Sequence, residues 1–142
     1  MFYFNEGSLD LPDSWQDQSV NLVSSNGPME PGLTITITRD TIPWGMGFSE
    51  YVIDQIEQIQ GTLDDFALSG RKPVVIGRAA GFELECTWKA KQGRIHQIIT
   101  IVQIAENRAM VLTASQPGNM SPTQASEVRR IVSTLNLQQR RS

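Results

Sequence analysis

Between Arg94 and Ile104 the chain is rich in β-branched residues and apolar at both parities. Successive side chains of a strand point to opposite faces. Ile95, Ile99 and Ile101 therefore share one face with Gln97 and Gln103, while Ile98, Val102 and Ile104 share the other with His96 and Thr100. An antiparallel sheet backed by helices on one side is normally polar on the other, and here neither face is polar. Arg108 to Ala114 repeats the pattern, with Val111 opposing Met110 and Leu112. If two helices cover one face only, the second is exposed or covered by a partner. The competing reading is a central strand buried on both sides by loops or by a second copy of the chain.

The flanking sequence supplies the other elements. Leu33 to Thr38 alternates strictly, which places Ile35 and Ile37 on one face of a strand and Thr34, Thr36 and Thr38 on the other. Phe48, Val52, Ile56 and Ile59 make one apolar stripe along a helix from about Phe48 to Gly61. Ser121-Pro122-Thr123-Gln124 is a capping box with proline at the first helical position, and Val128, Ile131, Val132 and Leu135 continue that second helix. Val74 to Ile76 and Phe82 to Trp88 read as further strands, and the short connections after Trp88 and Ile104 predict antiparallel hairpins. The expected architecture is one α+β domain over residues 1–142, with an antiparallel sheet and two helices packed on one face.

Composition narrows the function classes. With 39% hydrophobic and 19% charged residues, the chain has enough apolar content for a packed core. A net charge of -3 argues against nucleic acid as a partner, because phosphate binding needs a clustered positive field. The one cysteine, Cys86, stands in an apolar run and reads as a small hydrophobe in a reducing compartment. No secretory leader and no membrane-spanning apolar run is visible, so the expected location is cytoplasmic and not membrane-embedded.

Catalytic patterns are sparse. Any nucleophile-base pair must use the single histidine, His96, and Cys86 is its candidate partner on a neighbouring strand; mere adjacency in a hairpin is the better explanation of the pair. Glu83 and Glu85 share a strand face and read as a solvated pair of carboxylates. One His and one Cys do not make the usual zinc site, and Gly45-Met46-Gly47 reads as a turn before a helix rather than a phosphate loop. No cofactor, metal or catalytic residue is expected. Trp15 and Trp44 are candidate dimer or partner contacts.

The run from Leu9 to Asn21, with Leu11-Pro12-Asp13-Ser14-Trp15 at its centre, resembles the opening of the Eag chaperones of type VI secretion, members of the DcrB-like family. The Phe48-Ser49-Glu50-Tyr51-Val52 helix start after Ile37-Thr38-Arg39-Asp40 is similar as well, and Gly77 and Trp88 anchor the likeness further on. The resemblance implies a PsbP/Mog1-like curved sheet and a homodimer. It also implies a concave groove that shields the N-terminal transmembrane helices of an effector, often Rhs-type, and assists loading onto the VgrG spike. Carried onto this chain, the groove residues are Leu22, Thr34, Thr38 and Gln55, with Val20 at the parity of Leu22 and Thr100 on the long strand; a shift of one residue there transfers the role to Ile99 or Ile101. The lipidation cysteine of exported relatives is lacking. The alternative is a docking module of PsbP/Mog1-like fold without a chaperone role.

Overall fold

Three tight hairpins generate most of the sheet. The computed structural model describes residues 2–4, 7–9, 20–24 and 32–137. Its elements are β1 (Phe2–Phe4), β2 (Gly7–Leu9), β3 (Asn21–Ser24), β4 (Thr34–Thr41), α1 (Phe48–Thr62), β5 (Ala67–Ile76), β6 (Ala79–Ala90), β7 (Gly93–Ala105), β8 (Arg108–Pro117) and α2 (Pro122–Ser133). β1 and β2 pair with each other, and the other six strands form one sheet in the order β3-β4-β8-β7-β6-β5. Every neighbouring pair in it is antiparallel. The class is as expected, α+β with an antiparallel sheet and two helices.

The placing of the helices differs from expectation: they lie on opposite faces of the sheet, not on one. Val128 and Val132 of α2 pack in a core with Ile35, Ile98, Val102, Leu112 and Ala114. Tyr51, Val52 and Ile56 of α1 pack in another with Leu84, Cys86, Ile99 and Ile101. Ile98 and Ile101 point to opposite sides, and each is 1% exposed. The two apolar faces of β7 thus have one cause: β7 is central, with one helix over each side. Each buried isoleucine contributes about 1.5–3 kcal/mol relative to exposure, so neither helix can leave without a large loss.

β5 is longer than the Val74–Ile76 expected from the sequence, because it starts at Ala67. It is an edge strand, where Gly70, Lys72 and Pro73 are tolerated and mask the period-two pattern, and its register slips between Leu68 and Gly70. In β6, Gly81 meets the partner strand closely: a Cβ there would stand 2.7 Å from the carbonyl oxygen of Ile101. The capping box of α2 forms as read, with the Gln124 N–H donating to Ser121 Oγ at 3.1 Å and the Ser121 N–H donating to Gln124 Oε1 at 2.9 Å.

Candidate functional site

Register alone decides which side chains share the face of α1. Opposite residues of an antiparallel pair lie on the same side, so Leu22, opposite Thr36, joins the threonine side of β4. The same rows continue into β8 as Thr34 with Ser115, Thr36 with Thr113, and Thr38 with Val111. α1 stands over β6, β7 and β8 on this face, which leaves the β3–β4 end beside it. The Tyr51 hydroxyl donates to Asp40 Oδ2 at 2.6 Å, tying the helix to β4. Gln55 follows Tyr51 by one turn, on the same side of the helix, and is half-buried.

The result is a strip whose floor is hydroxyl-rich and half-buried, whose wall is α1, and whose outer margin is apolar. Leu22 is 66% exposed and Val20, just before β3, is 61% exposed. A neighbouring chain of hydrogen bonds runs across the same face: Trp88 Nε1 donates to Gln97 Oε1 at 3.0 Å, and Gln97 Nε2 donates to Ser115 Oγ at 2.9 Å. Sequence reasoning passed over Thr36, Thr113, Ser115 and Gln97. The signal for Thr36 was its parity with Thr34; the others required the β4–β8 and β7–β8 register.

Thr100 does not join this strip. It lies on the face of α2, opposite Glu83 and Leu112, and is 2% exposed. There it lines a cavity with Lys72, Val74, Glu83, Arg129 and Val132. The alternatives Ile99 and Ile101 do point toward α1, but both are buried in the core beneath it. The candidate strip therefore comprises Val20, Leu22, Thr34, Thr38 and Gln55.

Two further expectations are corrected by what α2 covers. Glu83 and Glu85 are not a solvated pair. Arg129 Nε donates to both oxygens of Glu83 at 3.2 Å, Arg129 Nη2 donates to Glu85 Oε1 at 2.7 Å, and Lys72 Nζ stands 3.6 Å from Glu83 Oε2. Cys86 and His96 point to opposite sides of the sheet, since Cys86 pairs with Gln97 and His96 with Thr87. They cannot act as nucleophile and base together. Burial pushes the Cys86 thiol up to about 11, aided by the Glu85 charge. His96 Nδ1 accepts the Met120 N–H at 2.9 Å, so Nε2 carries the proton that faces Glu85 Oε2 at 3.0 Å. That arrangement joins the loop before α2 to the sheet.

Trp44 is fully exposed, and Trp15 lies outside the described residues. Among the described residues no group of His, Cys, Asp and Glu could hold a metal ion, and no helix is long and apolar enough to cross a membrane.

Residues 6–134 match the family described as DcrB. The chain is 31% identical over 96 residues to a Pseudomonas aeruginosa PAO1 protein named Effector EagT6, a match covering 66% of this chain and 65% of that protein, just under two-thirds of its length. Among solved structures, the Pseudomonas aeruginosa protein of unknown function PA94 superposes with a TM-score of 0.80 at 22% identity, covering 98% of this chain and 96% of that one. Cyanobacterial PsbP from Synechocystis sp. PCC 6803 is a more distant likeness, with a TM-score of 0.48 at 8% identity, covering 89% and 94%.

Proposed function

The chain belongs to the DcrB family, and from that membership we propose that it is a cytoplasmic adaptor chaperone of the Eag type, working on a type VI secretion effector. In this reading it binds and shields the effector's N-terminal transmembrane helices, assists loading onto the VgrG spike, and works as a homodimer of single-domain chains. The similarity to the protein named Effector EagT6 supports the general role.

The observation that carries the specific role is the strip beside α1, where exposed Leu22 shares a sheet face with half-buried Thr34 and Thr38, next to the helix that carries Gln55. A transmembrane helix in water exposes apolar side chains, and covering them gains about 25 cal/mol per Å². Its small and polar positions also need hydrogen-bond partners, as they find between helices in a bilayer, and threonine and glutamine side chains provide them. A purely apolar strip would serve the first need and not the second.

Coexpression tests the role. The chain should keep a fusion bearing the effector's N-terminal helices soluble, and light scattering of the purified chain alone should read about twice its 15.8 kDa mass. A fusion that precipitates equally with and without the chain would contradict the proposal.

A further inference from the structure

The outward side of α1 is not explained by the strip on its other flank. Trp44, in the turn leading into the helix, is fully exposed, and Ile53 is 43% exposed in the second turn. Tryptophan is enriched, with tyrosine and arginine, among the residues that anchor protein interfaces, so a fully exposed one is a candidate contact. The turn is held: the Ile42 N–H donates to the Asn107 carbonyl at 2.7 Å, and the Met46 N–H donates to the Pro43 carbonyl at 3.0 Å. Trp44 is thereby presented on a prepared backbone, which lowers the cost of using it in binding.

Charge argues for the chemistry of a partner on this side. Glu50 and Glu57 flank Ile53 at helical spacings of three and four, both are exposed, and neither meets a cation among the described residues. The whole of α1 carries no lysine or arginine. An anionic membrane surface or a nucleic acid would be repelled by such a face, whereas a cationic protein segment would be attracted. We propose that the outer face of α1, with Trp44 at its head and Ile53 between Glu50 and Glu57, docks a lysine- or arginine-bearing protein segment that also offers an apolar contact. The docking is separate from the strip at Leu22 and does not depend on what that strip binds.

The test uses the full chain and a soluble amphipathic helical peptide of lysine and leucine, titrated by calorimetry at low and high salt. Binding should weaken by about tenfold or more on Trp44→Ala, similarly on the double change Glu50→Gln with Glu57→Gln, and with rising salt. All three positions are exposed, so the variants should melt with the parent chain. A glutamate-leucine peptide of the same length should not bind. The comparison is repeated in the Leu22→Asp background, where the strip no longer offers the leucines a second site, and the Trp44 and glutamine changes should weaken binding there as well. Equal binding by the Trp44 or glutamine variants in the Leu22→Asp background, or equal binding of the acidic peptide there, would each overturn the proposal.

Discussion

The hydroxyl of Tyr51, itself 1% exposed, donates a 2.6 Å hydrogen bond to Asp40 Oδ2 and so fixes α1 against the end of β4. The bond ties the helix that carries Gln55 to the strand that carries Thr34 and Thr38.

Replacing Tyr51 by Phe keeps the packing on Phe48, whose ring lies 6.5 Å from that of Tyr51, and removes only the bond. The expected loss is about 1 kcal/mol, because Asp40 is exposed enough to regain water. The same residue predicts an alkaline limit. Burial first, then the Asp40 hydrogen bond and the Asp40 and Asp54 charges, raise the phenol well above its ordinary 10.0. A raised folded value means that stability is complete below about pH 10 and falls as the pH climbs further. Urea melts between pH 8 and about pH 11 should show that fall in the parent chain and a smaller one in Tyr51→Phe. Identical alkaline limbs would show that Tyr51 is not its source.

Arg129 holds α2 to the other face of the sheet. Arg129→Met should cost about 2 kcal/mol, because Glu83, 8% exposed, would keep a nearly buried carboxylate with only Lys72 near it. A fully buried pair would cost more, and the partial exposure of Arg129 lowers the figure. Burial alone would raise the Glu85 carboxyl, but hydrogen bonds from Arg129 and His96 outweigh it and hold the group below its ordinary 4.5. The stability from this depressed group is present above about pH 4.5 and is lost as the pH falls through the lower, folded value. In Arg129→Met that acid limb should be shallower. An unchanged acid limb would place the pH sensitivity elsewhere.

Much of the fold was legible because its signals are local. The Thr34 to Thr38 alternation, the Phe48 to Ile59 stripe and the Ser121 to Gln124 capping box each became the element they spelled. The placing of the helices was not legible, since periodicity says which side chains part company across β7 and not which helix meets which set. Glu83 and Glu85 read as solvated because Arg129, their cover, stands more than forty residues away in the chain. In the strip, Thr34 and Thr38 shared a parity that sequence displays. Thr100 failed because its face depends on the turn before Gly93, where one residue of register exchanges the two sides of the strand.

The polar members of the strip separate a helix-binding role from plain hydrophobic docking. If Thr34 and Gln55 donate to a bound helix, Thr34→Val with Gln55→Leu should weaken it by on the order of 1 kcal/mol per lost bond, although the strip becomes greasier. Calorimetric titration with a transmembrane-helix peptide carrying serine and asparagine tails reads this directly. Unchanged or tighter binding would make these residues ordinary solvent-facing positions.

The most direct measurement titrates that peptide into the parent chain and into Leu22→Asp, with a thermal melt of each. Leu22 is exposed, so the carboxylate should leave the melt nearly unchanged, yet it must be desolvated when an apolar helix settles beside it. The account predicts binding to the parent chain and a loss of affinity of at least about tenfold in Leu22→Asp, with both proteins folded. Equal affinity for the two, or no binding to the parent chain, would contradict it.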